Sequence, residues 1–201
     1  YTLHTLFPYT TLFRSFYSTN VQKDREGRSV DNHFSLDVLS IGVAYMRMTD
    51  NTVLGAKYGF GVIVPFFKMD ASIKVPTPAG PLSLEADPFR LADVQFLPLI
   101  LQWNVSPNLF INTQFQIQAP TGDYDKNRLV SPGLNHWTFS PIVNATYISD
   151  SGFEVSSSFE ADINTRNNAT DYKNGIEYRH EFAVGQDRKS TRLNSSHQYY
   201  L

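Results

Sequence analysis

Between Leu109 and Ala119 the odd positions read Leu109, Ile111, Thr113, Phe115, Ile117 and Ala119. The even positions, Phe110 apart, read Asn112, Gln114, Gln116 and Gln118. Sorting at period two excludes a helical face, whose period is 3.6, and describes a strand with one apolar and one polar side. The pattern recurs. Trp137, Phe139, Pro141, Val143, Ala145 and Tyr147 alternate with Thr138, Ser140, Asn144 and Thr146. Phe153, Val155, Phe159, Ala161 and Ile163 alternate with Glu154, Ser156, Ser158, Glu160 and Asp162. Ile176, Tyr178, His180, Phe182 and Val184 oppose Glu177, Arg179 and Glu181. Leu54, Ala56, Tyr58, Phe60, Val62, Val64 and Phe66 oppose Gly55, Lys57, Gly59 and Gly61. Three further strands are less regular. His33–Met48 changes parity near Val38-Leu39, which suggests a bulge. Leu91–Trp103 is apolar on both faces, and Phe16–Val21 reads as part of a strand.

The regular strands are about 10–13 residues long, against roughly 5–6 in soluble sheets. A tilted strand crosses a bilayer in about 9–11 residues. No apolar run is long enough for a transmembrane helix, so any span consists of strands, the other structure that satisfies its backbone within lipid. Composition agrees: charged residues are 18%, below the roughly 25% of soluble domains, while 15 Phe and 11 Tyr suit a lipid-facing surface with aromatic girdles. Connections alternate in length. Short turns are expected at 49–52, 104–108 and 149–152, and long ones at 22–31, 70–90, 121–136 and 166–174. Short periplasmic turns and long outer loops alternate in this way in outer-membrane barrels. The predicted fold class is all-β, an antiparallel up-and-down transmembrane β-barrel, present as a fragment of about eight strands in the bacterial outer membrane. A soluble up-and-down barrel shares the alternation but normally uses shorter strands and needs no unbroken apolar outer face.

The two ends differ in character from the rest. Thr5-Leu-Phe-Pro-Tyr-Thr-Thr-Leu-Phe-Arg-Ser15 resembles one strand of a common sequencing-library adapter in translation, and Asp187-Arg-Lys-Ser-Thr-Arg-Leu-Asn-Ser-Ser-His197 resembles the facing adapter. The expected organisation is therefore adapter-derived sequence at 1–15 and 187–201, bracketing a barrel fragment at 16–186. Setting aside Arg14, Asp187, Arg188, Lys189 and Arg192 leaves 13 basic and 18 acidic residues, a net −5, which argues against nucleic acid as a partner. The expected partner is outer-membrane lipid.

Candidate chemistry is sparse. Absence of cysteine removes thiol nucleophiles and Cys-ligated metals. His33, His136 and His180 lack the spacing of a metal site, and no cofactor motif occurs. The alternating acids and Arg179 fit interstrand pairs in a polar lumen better than an acid–base dyad. Lys57, Gln114, Gln116, Glu154, Glu160 and Arg179 are therefore the expected lumen-lining residues. A lipid hydrolase would need a Ser–His pair on adjacent strands of the lipid face; His180 qualifies, but its nearest candidate, Ser156, falls on the polar face. No enzyme activity is expected.

The run Ala119-Pro-Thr-Gly-Asp-Tyr-Asp-Lys-Asn-Arg-Leu129, followed by Gly133-Leu-Asn-His-Trp-Thr138 and Pro141, resembles the family named for the MetA-pathway of phenol degradation. The segments Leu54-Gly-Ala-Lys-Tyr-Gly-Phe60, Asn164–Tyr172 and Gly175–Tyr178 are similar to it as well. The resemblance implies an outer-membrane barrel for uptake of hydrophobic or aromatic compounds. A structural or adhesive barrel without transport is the alternative. In the motif, Pro120 should end its strand and Gly122 permit a turn, with Asp123, Asp125, Lys126 and Arg128 in a charged loop. Tyr124 and Trp137 could pack that loop over the barrel mouth, as a selectivity lid or as a brace for the rim.

Overall fold

The period-two segments pair in chain order as one antiparallel meander. The computed structural model describes residues 9–24, 26–30, 32–77, 80–86, 88–188 and 191–200. Among these, nine long strands follow one another: β1 (Tyr9–Thr19), β2 (Ser35–Val53), β3 (Ala56–Thr77), β4 (Gln95–Asn104), β5 (Leu109–Gln118), β6 (Thr138–Ile148), β7 (Phe153–Asn164), β8 (Glu177–Arg188) and β9 (Thr191–Tyr200). Each bonds to the next, and no ladder joins β1 to β9. Eight strands curve through 255° of a barrel, without helices among the described residues. The fold is thus an up-and-down β-sheet rolled into an incomplete barrel.

Register explains why the pattern is so legible. Directly opposed residues of an antiparallel pair share a face. Phe139 lies opposite Ile117 and Ile163, and Val143 opposite Thr113 and Phe159. On the other face Asn144 meets Asn112 and Ser158, and Glu160 meets Arg179. Each strand's apolar set therefore joins its neighbours' apolar set.

Burial then inverts the rule for soluble proteins. Val143 is 49% exposed and Phe159 50%, while Ser140 is 2% and Asp162 9%. The sheet hides its polar side and displays Val, Ile, Phe and Tyr. An outer surface of that composition is stable against hydrocarbon rather than water.

Several local expectations are corrected. No bulge occurs at Val38-Leu39: β2 keeps one register against β3 from Ser35 to Met48. Its parity appears to change because Leu36, Val38, Ala44, Met46 and Met48 make the inner face apolar too. The turn expected at 49–52 lies instead at Leu54-Gly55, where φ is 52° and 75°. Two successive positive φ values match the right-handed strand twist in a tight hairpin, which residues 49–52 do not supply. The ladder absorbs the difference with a register shift between Met48 and Thr52. The expected 70–90 loop is largely strand: β3 runs on to Thr77, Gly80–Ala86 folds back on it, and Phe89–Leu91 pairs with Phe66–Lys68. Two of the other long connections carry short pairs, Gln22–Lys23 with Ser29–Val30 and Arg166–Asn167 with Tyr172–Lys173.

The ambiguity of Leu91–Trp103 has a specific cause. Between Leu97 and Leu99 the register of β4 shifts against both β3 and β5. Pro98 sits in this bulge, where its missing N–H leaves no ladder bond unmade, and its carbonyl accepts the Tyr58 hydroxyl at 2.9 Å. The extra residue puts Leu97 and Ile100 inside and Phe96, Leu99 and Trp103 outside, so neither face reads as polar.

Strands β1 and β9 cover much of the two adapter-like segments; residues 1–8 and 189–190 lie outside the described residues. Their register breaks the outer pattern. Arg14 stands opposite Ile41, and Ser195 and His197 opposite Val184 and Phe182.

Candidate functional site

The inner face of the sheet and the loop at its rim are the candidate site. The inner face differs from strand to strand. Across β2–β4 it is apolar. Gly59 and Gly61 leave space that Met48 and Met46 occupy: a Cβ on Gly59 would lie 2.4 Å from the Met48 sulfur, and one on Gly61 3.1 Å from Met46 Cγ. Leu97 and Ile100 are buried beside them. Only at the short-turn end does a cation enter, as Lys57 opposite Thr52 and Gln102.

Across β5 and β6 the inner face is a row of amides. Gln114 Nε2 donates to Asn112 Oδ1 at 2.8 Å, and Asn144 Nδ2 donates to the same oxygen at 3.1 Å. Across β7 and β8 it is charged. Arg179 Nη2 contacts Glu160 at 2.7 Å and Asp162 at 2.5 Å, and Asp162 also accepts the Ser140 hydroxyl. Asp162 and Ser140 are buried, so this polar group lies inside the sheet's curve.

The rim loop is fixed at both ends. On one side stands Asp93, 3% exposed. Its Oδ1 accepts the Gly122 N–H at 2.8 Å; its Oδ2 accepts the Leu134 N–H at 2.9 Å and Gln118 Nε2 at 3.2 Å. One carboxylate thus holds the loop's start and its return. On the other side Asn167 accepts from Asn135 Nδ2 at 2.8 Å and donates to the Leu134 carbonyl at 3.1 Å. The Thr165 hydroxyl accepts the Trp137 N–H at 2.9 Å. Below, buried Thr138 donates to Asn164, whose amide reaches the Gly175 carbonyl.

The loop's exposed part is held by charge. Arg128 contacts Asp123 at 2.6 Å and 3.1 Å, with Arg90 at 3.2 Å from the same carboxylate. The Arg128 guanidinium, with Arg90 beside it, holds the Asp123 carboxyl below the usual carboxylate range. Asp125 caps the Asn127 N–H at 2.9 Å and lies 3.8 Å from Arg128 Nε.

All six residues expected to line the lumen, Lys57, Gln114, Gln116, Glu154, Glu160 and Arg179, take inner register positions. The loop residues separate. Pro120 follows the end of β5, Asp125 and Arg128 join the charged clasp, and Tyr124 is half-buried within the loop. Gly122 does not serve by a left-handed turn, since its φ is not positive. It permits close approach: a Cβ there would lie 2.7 Å from Gly133 Cα and 2.8 Å from the Ala92 carbonyl carbon. Trp137 does not cover the mouth. Its ring stacks on Phe139 at 6.5 Å and 9°, and Phe139 stacks on Phe115, all on the outer face. Trp137 lies on the outer face.

Sequence reasoning missed Asp93, Gly133 and Asn167. A lone acid inside the apolar run Leu91–Trp103 was the available signal for Asp93. It also paired His180 with the wrong serine. Ser157, not Ser156, lies 2.8 Å from His180 Nε2, on the outer face. The pair lies on β7 and β8, which are laddered on both sides. It satisfies two polar side chains on an apolar surface.

Residues 19–200 match the family described as "Putative MetA-pathway of phenol degradation". The crystal structure of an outer membrane channel from Pseudomonas putida F1 superposes with a TM-score of 0.72 at 13% identity, covering 95% of this chain and 73% of that one. At that identity the likeness concerns the fold. No curated protein matches the chain.

Proposed function

The chain belongs to the family of the MetA-pathway of phenol degradation, and on that premise we propose that it is a bacterial outer-membrane channel for hydrophobic or aromatic compounds. The observation that carries the proposal is the inverted sheet. Thr138, Ser140, Asp162 and Asn164 are buried on the inner face, and apolar side chains such as Val143 and Phe159 are displayed outside. Such a sheet needs lipid around it and leaves a polar-lined interior for a solute path. The channel of like fold supports the same reading. Closing the barrel requires the remaining arc of about 105°, or about three more strands at the present curvature. In this proposal segments 1–15 and 187–201 derive from adapter sequence, although the family match runs on through residue 200. Arg14 opposite Ile41 supports that view.

The test is solute flux. Liposomes carrying the barrel closed by its remaining strands should take up a small aromatic solute faster than empty liposomes. No flux of any small solute would refute the channel. One observation favours the second reading, a structural barrel: Leu97, Ile100 and Ala44 are buried on the inner face, so part of the interior is packed. The same flux measurement separates the two.

A further inference from the structure

The inner wall is divided around the barrel into regions of different chemistry. The β2–β4 part offers Met46, Met48, Leu97 and Ile100. The β5–β6 part offers amides, with Asn112, Gln114 and Asn144 already sharing hydrogen bonds. The β7–β8 part places Glu154, Glu160, Asp162, Glu177 and Glu181 at inner positions, where the cation is Arg179. One Arg179 nitrogen contacts both Glu160 and Asp162, so its charge is committed within the wall rather than offered to a solute.

We propose that this division sorts aromatic solutes by charge: the Met-lined strip and the amide row accept a neutral ring bearing a hydroxyl, and the carboxylate-rich strip turns away its anion. The inference rests on the channel reading above and names the solute class for the same interior. The physical basis has three parts. A thioether side chain is polarisable and adapts to flat rings. An amide both donates and accepts, so it can pair a neutral hydroxyl without carrying charge. Excess negative charge along a confined low-dielectric path concentrates cations and depletes anions.

The experiment is the barrel closed by its remaining strands, reconstituted into planar bilayers under a KCl gradient. The expected potassium-over-chloride permeability ratio is on the order of 10. At one pH, benzyl alcohol is expected to block the current by entering the path, and benzoate is not. The pair Glu154→Gln/Glu181→Gln keeps both carboxylates that Arg179 contacts, Glu160 and Asp162. It should move the reversal potential toward zero and let benzoate block. Chloride preference, or benzoate blocking as well as benzyl alcohol, would overturn the charge sorting while leaving a channel. Absence of any current would overturn both readings.

Discussion

Replacing Gly122 with alanine places a methyl group where three atoms already stand. The new Cβ would lie 2.7 Å from Gly133 Cα, 2.8 Å from the Ala92 carbonyl carbon and 2.8 Å from Asp93 Oδ1. Two of these are backbone atoms, which cannot rotate aside. Forcing a methyl into such a site costs about 1–3 kcal/mol. If the loop moves away instead, the bonds from Gly122 and Leu134 to Asp93, now 2.8 and 2.9 Å, lengthen or break. A buried carboxylate left short of a donor costs about 1–3 kcal/mol. The routes overlap, so a local destabilisation of about 2–4 kcal/mol is expected. Amide hydrogen exchange in detergent micelles reads it directly. Protection of the Gly122 and Leu134 amides should fall by roughly 30- to 1000-fold, while amides of the β5–β6 ladder should change little. Gly175→Ala is the control: nothing lies within 4 Å of its Cβ and its φ is not positive. Equal protection in the two variants would refute the close-approach role of Gly122.

Asp93→Asn keeps the shape but turns one acceptor into a donor facing an N–H group; a loss of about 1–3 kcal/mol in the loop is expected from urea titration of its exchange protection. The Asp123 clasp depends on pH in a defined direction. Its carboxyl is held below 3.8 in the folded loop, so the stabilisation is present above 3.8 and lost as pH falls through the lowered value. Arg128→Ala should weaken this acid dependence of loop protection, Arg90 sustaining the remainder; an unchanged profile would remove the clasp from the explanation. Val143→Lys should destabilise the refolded barrel by about 2–4 kcal/mol if that position lies near the bilayer midplane, whereas Asn144→Lys on the inner face should cost far less. Equilibrium unfolding from vesicles compares them.

The strands were legible because each side of the sheet meets one environment. Apolar side chains outside and amides or charges inside make Leu109–Ala119 and Phe153–Ile163 alternate, with Phe110 and Ser157 the exceptions. Legibility failed where the environments ceased to differ. In β2, apolar residues fill both faces, and parity then carries no information about side. In β4 the Pro98 bulge changes parity inside an apolar run, which only the pairing with Gly59 and Gly61 reveals. The Leu54-Gly55 turn was hidden by a non-glycine residue at positive φ, since a left-handed Leu is rare. The rim was the least readable region. Asp93 and Gly122 are 29 residues apart, and no local pattern links a carboxylate to two distant backbone N–H groups. Trp137 carried two readings, since adjoining a loop and lying on the outer face look identical in sequence.

The inverted sheet can be tested at two adjacent residues. The chain contains no cysteine, so single cysteines at Val143 and Asn144 can carry a fluorophore in the vesicle-refolded protein. A lipid-facing outer surface is expected to let brominated acyl chains quench the label at Val143 and leave the label at Asn144 to aqueous iodide. Quenching by iodide at Val143, or by lipid at Asn144, would contradict the inside-out arrangement on which the channel rests.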